Sequence, residues 1–214
     1  MLHQTHIASA AALELLGDLH PLIEQLGSLD GLVTLAGASE SLQVRQIKTV
    51  ADLRVFLESY HAKILQPVEL PAIKRAFSHA SHHEMRELVA FDQQLAGEPI
   101  LQNFLSASRR VGQAQLQRLR PLRDDRNVKR YLAAVDEGQA QGWHTLVYGL
   151  TLAVYSLPLR QGLLGYGRQT TRGFIHAASK SLSLSEKDSQ ALVEELCAGL
   201  PASVDALLAP TVIS

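Results

Sequence analysis

The chain has one cysteine, Cys197, among 214 residues, which excludes an intramolecular disulfide and a cysteine-rich zinc site. Aromatic residues are scarce too, at 5% against 46% hydrophobic residues overall. The core must then be built mainly from Leu, Ala, Val and Ile, a mixture that suits helices better than strands. Neither sign of charge dominates: with a formal net charge of -1, no global field draws the protein towards nucleic acid or anionic lipid. No apolar run reaches the roughly 20 residues that span a bilayer. The start, MLHQTHIASAAALELLGDL, lacks the basic residues and sustained apolar stretch of a secretory signal, so a cytoplasmic protein is expected. Tandem repeats, low-complexity tracts and alternating strand patterns are also missing.

What the chain does contain is the run GWHTLVYGLTLAVYSLP from Gly142 to Pro158, free of Asp, Glu, Lys and Arg. A helix that is apolar on every face must be buried against protein or lipid, and this one is too short for lipid. It therefore reads as a central helix, residues 142–158, walled by amphipathic neighbours. Ala8 to Leu26 has helical spacing, and Gly31 to Lys48 is ambiguous between helix and loop. Thr49 and Asp52 form an N-cap signal for a helix running to Ile64, after which Pro67 and Pro71 punctuate the chain. A helix over 71–77 follows. Ser81 with Glu84 reads as a capping box for a helix ending near Gly97. Pro99 opens what the pattern makes the longest helix, closed by Pro121. Further helices are expected over 128–135 and 159–182, and after a Ser185/Asp188 cap. The fold class is all-α: one domain over 1–214, with roughly eight to ten helices around the buried run.

Several clusters invite a chemical reading. His79, His83 and Glu87 would share one face of a continuous helix, with His82 beside them, a spacing suited to a borderline metal. The Ser81/Glu84 cap breaks that helix inside the cluster, so solvated surface histidines are the preferred reading, and no metal site or cofactor is assigned. Arg109, Arg110, Arg118, Arg120, Arg123, Arg126, Lys129 and Arg130 form a basic stretch. Without interleaved aromatics or a helix-turn-helix pattern, it fits an acidic protein partner better than nucleic acid. His144 and Tyr148, one helical turn apart, are the pair around which a small-molecule pocket would form. No nucleophile or second acid accompanies His144, so a structural role is favoured and no enzyme is expected. Cys197 reads as a small hydrophobe. Gly162, Gly165 and Gly167 match neither phosphate-binding fingerprint, which leaves close helix packing.

Four stretches, in this order, carry a resemblance to the UreF family of urease accessory proteins. They are TVADLRVFLESYHAKILQPVELPAIKRA; FLSASRRVGQAQLQRL, with Ser108-Arg109-Arg110-x-Gly112; the run containing Gly142 and His144, near the family's Gly-His-Tyr-Pro; and RQTTRGFIHAASKSLSLSEKDSQALVEEL. The similarity covers 48–208. Residues 1–47 form a diverged N-terminal part without the family's Gly-Gly turn, Thr145-Leu146 replace Tyr-Pro, and Gln190 alone is kept from a Gly-Gln-x-x-Gly-Gln segment. The resemblance implies a non-catalytic, all-helical, dimeric scaffold. Such a scaffold binds a UreD/UreH-type partner and recruits the UreG GTPase, so that nickel reaches the urease apoprotein. Arg109, Arg110, Arg118, Arg168, Arg172, Lys180 and Gln190 are the candidate partner contacts. Two other readings stay open: a helical small-molecule-binding protein, and a metal carrier using His79, His82 and His83.

Overall fold

Thr49 starts the first described helix as its side chain predicts. Its hydroxyl accepts from the Asp52 amide while the Asp52 carboxylate takes the Thr49 amide, a complete capping box. The computed structural model describes residues 47–99, 101, 105–119 and 125–210. The helices expected before Ile47 lie outside the described residues. Among those described there are helices, turns and no strands, in agreement with the all-α reading.

The elements are α1 (Val50–Tyr60), a π-helical segment (His61–Glu69), α2 (Leu70–Ser81), α3 (Met85–Ala96), α4 (Leu105–Arg118), α5 (Arg126–Asp136), α6 (His144–Val154), α7 (Leu159–Leu182), α8 (Glu186–Cys197) and α9 (Leu200–Leu208). Three boundaries depart from expectation. Pro67 does not break the chain, because it sits inside the π-helical segment. Proline lacks an N–H and crowds the carbonyl four residues back, and the wider π winding accommodates both defects. Ser81 caps nothing: it is the last residue of α2, and α3 starts at Met85 without a side-chain cap. The longest described helix is α7, with 24 residues, whereas α4 has 14.

Helix α6 is shorter than the 142–158 run. Gly142 takes φ +72 in the approach to it, and the chain leaves it through Tyr155, 39% exposed, and Ser156, φ 53. The Leu157 amide reaches back to the Leu152 carbonyl at 2.8 Å, a Schellman ending with serine where glycine is usual. Between these ends, Thr145 to Leu150 and Leu152 are all buried. Their neighbours come chiefly from α2 and α4. Gly149 lets α2 come close, since a Cβ there would lie 2.6 Å from the Ile73 carbonyl oxygen. Gly162 and Gly167 serve packing as expected: added Cβ atoms would meet the side chains of Leu152 and Leu200. Cys197 is buried in the same apolar cluster, which runs from Leu53 to Val204.

Candidate functional site

Several buried polar residues meet where α4 crosses the approach to α6. Ser108 and Gly112 lie on the buried face of α4, four residues apart and therefore stacked on one side of the helix. Ser108 Oγ lies 2.6 Å from His144 Nδ1 and accepts from the His144 amide at 3.3 Å. Gly112 faces the same approach so closely that a Cβ would stand 1.9 Å from the Gly142 carbonyl oxygen and 2.7 Å from the His144 nitrogen. Both obstacles are backbone, so nothing there can rotate aside.

Asp92 on α3 fixes this approach from the other side. Fully buried, its carboxylate accepts from the Tyr131 hydroxyl at 2.6 Å, the Gln141 amide at 2.5 Å and the Gly142 amide at 3.0 Å. A buried carboxylate is tolerated when its lone pairs are filled in this way. The Tyr131 hydroxyl is correspondingly pushed up by burial and by the neighbouring carboxylate.

Beyond His144 the network continues inward. His144 Nε2 lies 2.7 Å from the Tyr166 hydroxyl, and Tyr166 and Tyr60 both hydrogen-bond Glu69. One consistent proton order runs from the Ser108 hydroxyl to His144 Nδ1, from His144 Nε2–H to Tyr166, and from both tyrosines to the Glu69 carboxylate. Burial holds His144 down at about 4, so the imidazole is neutral at physiological pH. Burial also pushes the Glu69 carboxyl up to about 7, against the lowering effect of its two tyrosine bonds. Glu69 Oε1 stands 3.9 Å from His144 Nε2, too far for a direct hydrogen bond. Tyr148 does not join His144 around an open pocket, because its hydroxyl donates to the Gly162 carbonyl at 2.9 Å.

The model of the UreF family matches residues 47–197, more than half of the chain. This chain belongs to the UreF family of urease accessory proteins. The match spans the whole polar junction, from Tyr60 and Glu69 through Asp92, Ser108 and Gly112 to His144 and Tyr166. A search of the curated proteins found no match. Two of the stretches that carry the family resemblance are thereby neighbours in space: Ser108 and Gly112 of the second touch Gly142 and His144 of the third.

The partner-contact candidates of this UreF-family chain divide into two groups. Arg109 and Arg110 are exposed on α4 and, with Ser106, Gln113, Ala114 and Gln117, line an open groove of about 560 Å³. Arg168 and Gln190 instead meet within the chain, both on Glu194, at 3.3 and 3.0 Å. Arg172 is exposed on α7. The side chains of Arg118 and Lys180 lie outside the described residues, as do Arg120 and Arg123.

The histidine cluster is dispersed by the ending of α2. The chain turns at His83, φ 60, and the Glu84 amide bonds the His79 carbonyl at 2.8 Å. His79 Nδ1 then bonds Glu84, His82 Nδ1 donates to the Ser78 carbonyl, and His83 Nδ1 donates to Asn127. Glu87 sits in the first turn of α3, a separate helix. Among the described residues, no group of three or more His, Cys, Asp or Glu side chains is arranged to hold a metal ion.

Sequence reasoning passed over Asp92, Glu69, Tyr60 and Tyr166. Glu69 carried one usable signal, a lone acid between apolar neighbours in PVELP. Asp92 carried none, since its position suits an ordinary amphipathic helix.

Proposed function

We propose that this chain is a non-catalytic scaffold of urease maturation. As a homodimer in the cytoplasm, it binds a UreD/UreH-type accessory protein and recruits a UreG-type GTPase, so that nickel is delivered to the urease apoprotein. Its body is one domain of roughly eight to ten helices around the 142–158 run. The family match over residues 47–197 carries this reading.

The geometry supports it in two ways. The buried histidine has both ring nitrogens engaged by neighbouring side chains, an arrangement that orients helices rather than one poised for a substrate. The exposed arginines of α4 border a broad open groove, and arginine at such a place suits an acidic protein surface. Helix α4 thus fixes the interior with one face and offers a partner surface with the other.

Co-expression with a UreD/UreH-type protein and a UreG-type GTPase, followed by size-exclusion chromatography, tests the proposal. A co-eluting complex at micromolar concentration is expected. Separate elution of all three overturns it.

A further inference from the structure

Trp143 stands at the N-terminal end of α6, between Gly142 and His144, with one polar atom unaccounted for. Its side chain is 2% exposed, yet Nε1 has no hydrogen-bond partner among the described residues. An indole N–H can only donate, so burial without an acceptor sacrifices the bond it makes in water. Native structures rarely leave such a donor orphaned.

Beside it lies a small cavity of about 10 Å³, bounded by Trp143, Glu69, Thr145, Ala72, Leu95 and Leu101. That is about the space one water molecule needs. Two of the residues that line it carry the polar groups of interest: Trp143 has the unsatisfied indole donor and Glu69 a carboxyl group. Glu69 takes the Tyr60 hydroxyl on Oε2 and also the Tyr166 hydroxyl, while Oε1 stays beyond hydrogen-bond reach of His144. A cavity of this size, lined by a residue with an unsatisfied donor and by one with a carboxyl group, meets the conditions under which interior sites are wet rather than dry.

We propose that this cavity is a binding site for a single structural water, which accepts from Trp143 Nε1–H and donates to the Glu69 carboxyl. The water joins Trp143 to the chain of hydrogen bonds through Tyr60, Tyr166, His144 and Ser108. It thereby connects the approach to α6 with the end of the π-helical segment by a route independent of Asp92. A third donor to Glu69, added to Tyr60 and Tyr166, would also favour the ionised carboxyl over the protonated one.

Trp143 is the chain's single tryptophan, so its indole proton gives one unambiguous NMR resonance. On the full-length native protein, a cross-peak between that proton and water is expected in a water-selective NOE experiment. A crystal structure is expected to show density about 2.9 Å from Nε1. Either a direct bond from Nε1 to a protein oxygen or a dry cavity in such a crystal overturns the proposal. Glu69→Gln provides the second reading. Its amide alters the acceptor beyond the water, so the indole resonance moves if the bridge exists. An unmoved resonance in a folded variant removes Glu69 from the site and overturns the bridge.

Discussion

Ser108 Oγ and His144 Nδ1 lie 2.6 Å apart although 36 residues separate them in the chain. One turn along α4, Gly112 meets the Gly142 carbonyl and the His144 nitrogen. A hydrogen bond and a close backbone approach on the same face of one helix fix both the height and the rotation of α4 against the approach to α6. Neither contact alone would do so. Both elements lie within the region that matches the family.

Gly112→Ala should therefore be severe. A methyl group 1.9 Å from one backbone oxygen and 2.7 Å from a backbone nitrogen can be accommodated only by moving α4 as a whole. The expected loss is about 3 kcal/mol or more, far above the helix-propensity gain of about 1 kcal/mol that alanine brings. Gly199→Ala is the control, since nothing among the described residues lies within 4 Å of a Cβ there. Urea denaturation of the two variants checks the contrast. Equal stabilities would mean that α4 is not held at this joint.

Asp92→Asn keeps the shape of the side chain but removes acceptor capacity. The carboxylate takes Tyr131 and the Gln141 and Gly142 amides, and an amide group cannot accept with both ends. At least one buried donor loses its partner, at about 1.5–3 kcal/mol for bonds to a charged group. Protection of the Gln141 and Gly142 amides against hydrogen exchange should fall before that of α2. Unchanged protection at those two amides would contradict the role given to Asp92.

How much of this was legible depended on how local each signal is. The caps at Thr49/Asp52 and Ser185/Asp188 were readable because donor and acceptor are three residues apart. Ser81/Glu84 has the same spacing and misled, because α2 runs on to Ser81 and closes through a left-handed His83. Endings at His83, Ser156 and Ser183 put non-glycine residues where a sequence reader looks for glycine. Asp92 and its Gln141 partner are 49 residues apart, and no periodicity encodes that meeting. The apolar run 142–158 correctly announced a buried helix. Its shortening to His144–Val154 depends on Gly142 and Ser156 adopting positive φ.

Those left-handed endings give a prediction of opposite sign. Ser183 is exposed, with φ 54, and closes α7 through the Leu184 amide bonded to the Ser179 carbonyl at 3.0 Å. Ser183→Gly removes the left-handed penalty at the cost of a freer unfolded chain, for a net gain of about 0.5–1 kcal/mol. Thermal unfolding should shift upward by a few degrees at most. A lower midpoint would show that the serine side chain contributes more than its backbone strain removes.

Glu69 and His144 give stability opposite dependences on pH. The folded Glu69 carboxyl is raised from 4.5 to about 7. The folded state therefore holds this proton more tightly, and the stability it contributes is lost as pH rises through that window. Folded His144 is lowered from 6.5 to about 4, so its contribution is lost as pH falls through that range. Between them the two slopes offset one another. Glu69→Gln leaves the histidine slope alone, and relative to the native protein the variant should gain stability steadily from about pH 4.5 to about pH 7. The full difference is on the order of 3 kcal/mol. Denaturation curves across that range check it, and a pH-independent difference would show that Glu69 is not the titrating group.

Arg109→Glu separates partner binding from folding. Arg109 is exposed on the face of α4 that lines the open groove, whereas Ser108 and Gly112 on the other face carry the joint. Surface substitutions away from buried features typically change stability by less than about 0.5 kcal/mol, so the unfolding curve should hardly move. Reversing a charge on a surface that meets an acidic partner should weaken the complex about tenfold or more, mostly through slower association, with a shallower dependence on salt. Arg172→Glu on α7 is the comparison: a larger loss there than at Arg109 would transfer the partner surface from α4 to α7. Binding kinetics against an immobilised UreD/UreH-type protein and a UreG-type GTPase, each measured separately, would show which partner meets which helix. If neither substitution changes either rate, the exposed arginines are solvated surface and the partners dock elsewhere.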